Sequence, residues 1–298
     1  MSMTALISAF VRAYHAGNEG EKVFEDTAAR QLLGAEYEKI AGYMRQAAGF
    51  FELNPELSGE EALRHVVHRK LSALPLCRAA FTEEMLRNET RLGTGQYLVL
   101  GAGYDSFIYR RPEWARTLQV FLLDRMEMLE DAQKRAGEAG LTGVGKYAMV
   151  HADFSQEGWS GRLRTHPDYS EKTKTFVSML GLTYYLEAET LEKTFRAIGD
   201  MTPDGSAVAF DYLDVGGSED MRRQGMLARA AGEPMRQGYD YDTLEAMLDR
   251  CGFLIYDHLT PEALDERYFR RYNCANPGGE IHAMEGVNCC LAVRRRQG

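Results

Sequence analysis

Apolar residues recur at three- and four-residue spacing through the first third of the chain, then give way to short apolar runs separated by further helical stripes. Leu6, Ile7, Phe10, Val11 and Tyr14 form one helical face, and Ala29, Leu32, Leu33, Tyr37, Ile40, Tyr43 and Met44 a second. Ser58 followed by Glu61 has the form of a capping box opening a helix over residues 62–73. Pro75 interrupts before a further helix over 76–91, which Gly93 can end. From Tyr97 onward strands are expected near 97–100, 119–123, 147–151, 175–180, 206–211, 253–258 and 287–293. Helices are expected near 126–138, 156–164, 188–199, 218–231 and 241–250. Strands alternating with helices predict an α/β fold, a seven-stranded, mostly parallel sheet with helices on both faces, behind an N-terminal helical cover. The division expected is one domain over 1–298, with the cover at 1–95 and the core at 96–298. Residues 164–174 and 260–286 read as mobile or substrate-shaping loops, the latter among the C-terminal insertions.

The most informative stretch is QYLVLGAGYD, residues 96–105, an apolar strand running into a glycine turn. Gly101 and Gly103 let the backbone turn sharply and approach a ligand where a side chain would block it. Asp124 ends the next apolar run, QVFLLD, where an open α/β sheet places the acid that holds a ribose. Together these features imply an adenosine-type cofactor. A nicotinamide dinucleotide would call for G-x-G-x-x-G, and the third position here is Ser106. A structural reading stands beside each: G-x-G turns occur without nucleotides, Asp124 can cap a helix near Met126, and Asp153 one near Gln156.

Composition narrows the function classes. The net charge of −9 disfavours a phosphate-binding surface, so no nucleic-acid partner is expected. Five cysteines without C-x-x-C spacing indicate neither a disulfide framework nor a zinc site, and they fit a reducing, cytoplasmic location. No signal peptide or membrane span is read from the N-terminal residues or elsewhere, and a monomer is the default. His151, His258 and His282 lack metal-ligand spacing, so no metal is expected; His282 with Glu285 is the one pair kept as a candidate base.

The segment LGAGYDSFIYR at 100–110, with Asp105 and Arg110, resembles the L-G-A-G-x-D signature of the leucine carboxyl methyltransferase family, which includes bacterial O-methyltransferases of small-molecule and polyketide pathways. GLTYYLEAETLEKTF from Gly181, GSAVAFDY from Gly205, Arg12 with Ala13, and VFEDTAA at 23–29 extend the similarity over most of the chain. The resemblance implies a Rossmann-like class I methyltransferase fold and S-adenosyl-L-methionine as cofactor. By the same resemblance Gly101 and Gly103 would pass under the methionine part, beside Asp105, and Asp124 would accept from the ribose hydroxyls. Asp153 would accept from the adenine amino group, with Phe154 walling the ring, and Arg78, aided by Arg12, would bind the carboxylate. Two positions depart from the family pattern: Leu180 stands where an acid commonly precedes Gly181, and Phe107 where many bacterial relatives carry arginine.

Methyl transfer to oxygen needs alignment and exclusion of water more than a dedicated catalytic residue, and none is assigned. Acceptor contacts are expected beyond the strand ends at Tyr184, Tyr185, Asp211, Tyr212 and Arg222 or Arg223. The acceptor expected is a carboxylate or hydroxyl of a small molecule, with a protein C-terminus as the alternative. A nicotinamide-dependent oxidoreductase and a cofactor-binding protein without transferase activity are the rival readings.

Overall fold

The structure, a computed structural model, describes residues 2–46, 57, 59–216, 219–230, 232–236 and 238–296. The N-terminal cover comprises α1 (Met3–Gly17), α2 (Ala29–Leu33), α3 (Glu36–Gln46), α4 (Gly59–Val66) and α5 (Ala73–Arg91). Next come β1 (Gln96–Leu100), α6 (Phe107–Arg110), β2 (Gln119–Asp124), α7 (Met126–Glu138), β3 (Tyr147–His151), α8 (Gly161–Arg164) and β4 (Thr175–Met179). The chain continues through α9 (Ala188–Met201), β5 (Ala207–Leu213), α10 (Glu219–Ala230), α11 (Tyr241–Arg250), β6 (Phe253–Leu259), α12 (Pro261–Leu264), α13 (Arg270–Ala275) and β7 (Val287–Arg294).

The seven strands lie in the order β3-β2-β1-β4-β5-β7-β6. The first five run parallel, and β7 is antiparallel to both β5 and β6. β1, β4 and β5 are buried along their whole length, as expected of strands covered by helices on both faces. Side chains alternate between two cores: Tyr97 and Val99 face the N-terminal cover, while Leu98 and Leu100 face the opposite layer with α9 and α11. Strand order reverses between β1 and β4, which opens a crevice beyond their carboxyl ends.

Several expected elements differ. The stripe from Ala29 to Met44 is split at Gly34, which ends α2 at φ +52, and Tyr43 is 70% exposed rather than packed. Ser58 lies outside the described residues; α4 starts at Gly59 and passes through a π-helical turn, Val67–Leu71, before α5. Pro75 sits inside the first turn of α5, where its missing N–H has no helical acceptor in any case. Of the helix expected at 156–164 only α8 forms, because Gly158 adopts φ +76. Residues 260–286, read as a loop, carry α12, a π-helical turn (Asp265–Phe269) and α13, with Leu264, Phe269 and Tyr272 buried. Thr260 caps that segment by accepting from Ala263 N–H. No helix among the described residues is long and apolar enough to cross a membrane.

One buried group under the cover makes a testable contribution. His15 Nε2 accepts from Val23 N–H at 2.9 Å, and burial, with His68 and Lys22 nearby, pulls the imidazole down to about 3. The unfolded chain therefore takes up a proton that the folded one refuses. Stability from this group is present above the ordinary histidine value of about 6.5 and falls below it, by about 2 kcal/mol at pH 5. Urea melts at pH 7.5 and 5 should show that loss, and His15→Gln, which cannot protonate, should lose less over the same interval.

Candidate active site

β1 delivers the chain into the crevice at Gly101 and Gly103, with φ +69 and +52. Those left-handed conformations favour glycine at both positions, and at Gly103 space is tight as well, since a Cβ there would lie 3.3 Å from Ala5 of α1. Gly101 N–H and Ala102 N–H donate to Leu123 O at 2.9 and 3.1 Å, so the turn is tied to β2. Asp124, at the end of β2, completes the tie: Oδ2 accepts from Gly103 N–H at 2.8 Å and Oδ1 from Arg125 N–H at 2.7 Å. It does not occupy the N-cap of α7, a position held by Arg125. Burial pushes the Asp124 carboxyl above the ordinary range, against the pull of those two N–H groups.

Asp153, after β3, accepts from the Ser155 N–H and hydroxyl at 3.0 and 2.6 Å, closing a turn instead of capping a helix. Phe154 is buried against Trp159 with ring centroids 5.0 Å apart. Gly101, Gly103, Asp105, Asp124, Asp153 and Phe154 all line one cavity of about 490 Å³.

The opposite wall comes from the cover and is densely charged. Arg12 donates to Asp26 at 2.8 Å, to Ser8 Oγ at 3.1 Å and to Tyr104 O at 2.9 Å. Arg78 donates to Ser8 Oγ at 3.0 Å and to the Tyr184 hydroxyl at 3.2 Å, and lies 3.6 Å from Asp211. Asp211 in turn accepts from Gly181 N–H at 2.6 Å. Burial alone would lower Arg78, but Tyr184 and Asp211 hold its charge firmly in place. Gly181 is needed beside this group: at φ +64, a Cβ on it would fall 2.6 Å from Arg78 Nη1.

Below the glycine turn, Arg110 pairs with Glu83 and lies 3.5 Å from Asp26, while Asp105 accepts from Phe107 N–H at 2.8 Å. Burial raises the carboxyls of both Glu83 and Asp105, with Arg110 only partly opposing it. Asp26 differs: burial would raise it too, but Arg12 and Arg110 carry it below the ordinary range.

Tyr184 and Tyr185 line the cavity, but Asp211, Tyr212, Arg222 and Arg223 are not among its described lining residues; Asp211 stands behind the wall as the counter-ion of Arg78. Tyr212 is one residue past Asp211 on β5, so strand alternation turns it to the other face, where its hydroxyl meets His258 at 2.7 Å. Arg222 is exposed on α10 and is not part of the wall. His282 pairs with Asp265 at 3.0 Å and is not among the described residues that line the cavity. Phe107, a position where the family resemblance led to an expectation of arginine, is fully buried and packs edge-on against Tyr97 at 5.2 Å; its aromatic ring belongs to the core under the turn. Leu180 lines the cavity as an apolar residue. Ser8 and Glu83 are additional wall residues, and Asp26 is the buried carboxylate behind them. Ser8 had a legible signal: it precedes Arg12 by one helical turn, so the two polar residues share one face of α1.

Sequence and fold comparisons agree with this architecture. The profile described as leucine carboxyl methyltransferase matches residues 5–199. YktD of Bacillus subtilis strain 168, named provisionally as an S-adenosyl-L-methionine-dependent methyltransferase, is 34% identical over 99% of this chain and 98% of its own. A similarly named protein of Mycobacterium ulcerans is 28% identical over 74% of this chain and 69% of its own. Among solved structures, a DUF574 family protein from Streptomyces avermitilis superposes with a TM-score of 0.61 at 13% identity, covering 96% of this chain and 97% of that one. A protein from Thermobifida fusca, described provisionally as a methyltransferase, gives 0.60 at 14% identity, covering 99% and 96%. These structural likenesses establish the Rossmann-like fold. The profile match and the full-length relative go further, and the chain belongs to the leucine carboxyl methyltransferase family.

Proposed function

We propose that the protein is an S-adenosyl-L-methionine-dependent O-methyltransferase acting on a small molecule. The observation that carries this reading is that the ends of three strands, at the Gly101 turn, Asp124 and Asp153, share one cavity with Arg12 and Arg78. Arg12, Arg78 and Arg110 are each held in place by carboxylates, Asp26, Asp211 and Glu83, so their guanidinium groups are oriented along one wall of that cavity.

In this reading Asp124 holds the ribose, Asp153 and Phe154 the adenine, and Arg78 with Arg12 the carboxylate. The bound cofactor supplies an activated methyl group. The chain supplies alignment and exclusion of water, and such orientation is worth roughly 7–11 kcal/mol of barrier. Closure involves α1 and the segment after α10: Thr4 bonds Glu233, and Arg236 N–H donates to Tyr184 O at 2.7 Å. The acceptor side of the cavity is lined by Ile7, Leu71, Leu74, Tyr184, Tyr185 and Met235, which supports an acceptor with an apolar or aromatic body. No histidine, lysine or cysteine is among the described lining residues. A carboxylate acceptor, already ionised at neutral pH, needs no base there, whereas a hydroxyl acceptor would draw on a lining carboxylate such as Glu83, Asp105 or Glu233.

Calorimetric titration with S-adenosylmethionine, S-adenosylhomocysteine and NAD, followed by a screen of small carboxylates and phenols, tests the reading. Micromolar binding of the two sulfur compounds and methyl ester formation are expected. Binding of NAD alone would replace the reading with an oxidoreductase, and cofactor binding with no methylated product from any acceptor would leave a binding protein.

A further inference from the structure

Ser8 lies in the middle of α1, is 91% buried and lines the cavity. Its oxygen is shared by two guanidinium groups on different helices, accepting from Arg12 Nη1 at 3.1 Å and from Arg78 Nη2 at 3.0 Å. A serine hydroxyl has two lone pairs and one proton. Both lone pairs are occupied here, and among the described residues nothing accepts the proton. The geometry of such an oxygen therefore leaves an O–H donor free in a cavity wall between two positive charges. Two charged donors on one oxygen also polarise its O–H bond and strengthen it as a donor.

The chemical complement of that position is an anion with more than one acceptor oxygen. We infer that the Ser8 hydroxyl donates to the carboxylate of the bound cofactor, making with Arg12 and Arg78 a three-donor clamp. This inference rests on the cofactor reading above. Each arginine already has a buried counter-ion of its own, Asp26 for Arg12 and Asp211 for Arg78, so their guanidinium planes are oriented before the carboxylate arrives. Ser8 then links α1 to α5 at the point where the ligand enters, which makes closure of the cover part of cofactor recognition.

The test compares two ligands that share the nucleoside. S-adenosylhomocysteine carries the carboxylate, and 5′-methylthioadenosine lacks the whole amino-acid end. Ser8→Ala is expected to weaken S-adenosylhomocysteine by roughly ten- to a hundredfold, the range for a hydrogen bond to a charged group, and to leave 5′-methylthioadenosine within about twofold. Ser8→Thr, which keeps the hydroxyl, should restore most of the loss. A crystal structure of the wild-type complex should place Ser8 Oγ about 2.5–3.0 Å from a carboxylate oxygen. Unchanged affinity in Ser8→Ala, equal weakening of both ligands, or a complex with Oγ turned away would overturn the inference while leaving the cofactor reading intact. A wild-type protein that binds neither nucleoside would overturn both.

Discussion

Replacing Asp124 by alanine is expected to weaken S-adenosylmethionine binding by about 3–6 kcal/mol, roughly two to four orders of magnitude in Kd, if two hydrogen bonds to a charged group are lost. The geometry adds a second reason for a large effect. Asp124 Oδ2 also fixes Gly103 N–H, so the variant frees the glycine turn that the cofactor must lie against. Asp124→Asn separates the two contributions. Its single amide oxygen can keep one of the two backbone N–H partners but cannot present a charged pair of acceptors to a ribose. Its affinity should therefore fall between wild type and alanine, with an apo melting temperature nearer to wild type. Calorimetry with S-adenosylhomocysteine and a melt of each apo protein are sufficient; undiminished affinity in a folded alanine variant would remove Asp124 from the site.

Asp26→Ala should produce the largest loss of stability. The carboxylate is completely buried and serves five groups: Arg12 at 2.8 Å, the Ser106 hydroxyl at 2.7 Å, Ala28 and Ala29 N–H at 3.2 and 3.0 Å, and Arg110 at 3.5 Å. Removing one partner of a buried ionic cluster costs about 3–5 kcal/mol, because the remaining charges stay desolvated and uncompensated. For a protein of this size the melting temperature should fall by roughly 10 °C. The pH dependence provides a check on the mechanism. Asp26 is held below its unfolded value by Arg12 and Arg110, so its contribution is present above about pH 4 and lost as pH falls through the folded value. The gap between wild type and variant should accordingly narrow in acid. A gap that is constant from neutral pH to pH 3 would mean that lost packing, not charge, accounts for it.

Strand positions were legible because a strand buried on both faces is a short apolar run bounded by turns; β1, β4 and β5 are of this kind. The glycine turn and the acids after β2 and β3 were legible because their positions follow from where each strand ends. Contacts between residues far apart in sequence were not legible, even where, as for Arg12 and Arg78, the family resemblance pointed to the residues themselves. Arg12 meets Tyr104 O across 92 residues, Arg78 meets Tyr184 across 106, and Ser106 meets Asp26 across 80. No local pattern announces such contacts. Tyr212 illustrates a different limit: one residue along a strand exchanges the ligand side for the core side, so proximity in sequence to Asp211 was a poor guide to where it points. The helical segment after β6 was missed although Leu264, Tyr268, Phe269 and Tyr272 have helical spacing, because surrounding glycines, proline and polar residues obscured a short stripe.

The antiparallel strand also governs the order in which the sheet can be assembled. Among the described residues β6 pairs only with β7, and β7 reaches β5 across the pairing Ala207↔Val293. A nascent chain therefore exposes β6 from the ribosome before any strand can cover its edge, and residues 287–294 must arrive to bridge it to the parallel half. That half can condense earlier around β1–β4, while the last hairpin waits on a long loop closure. During this interval the unpaired edges of β5 and β6 are the surfaces most open to mispairing with another chain, so aggregation during synthesis should depend on how quickly β7 docks.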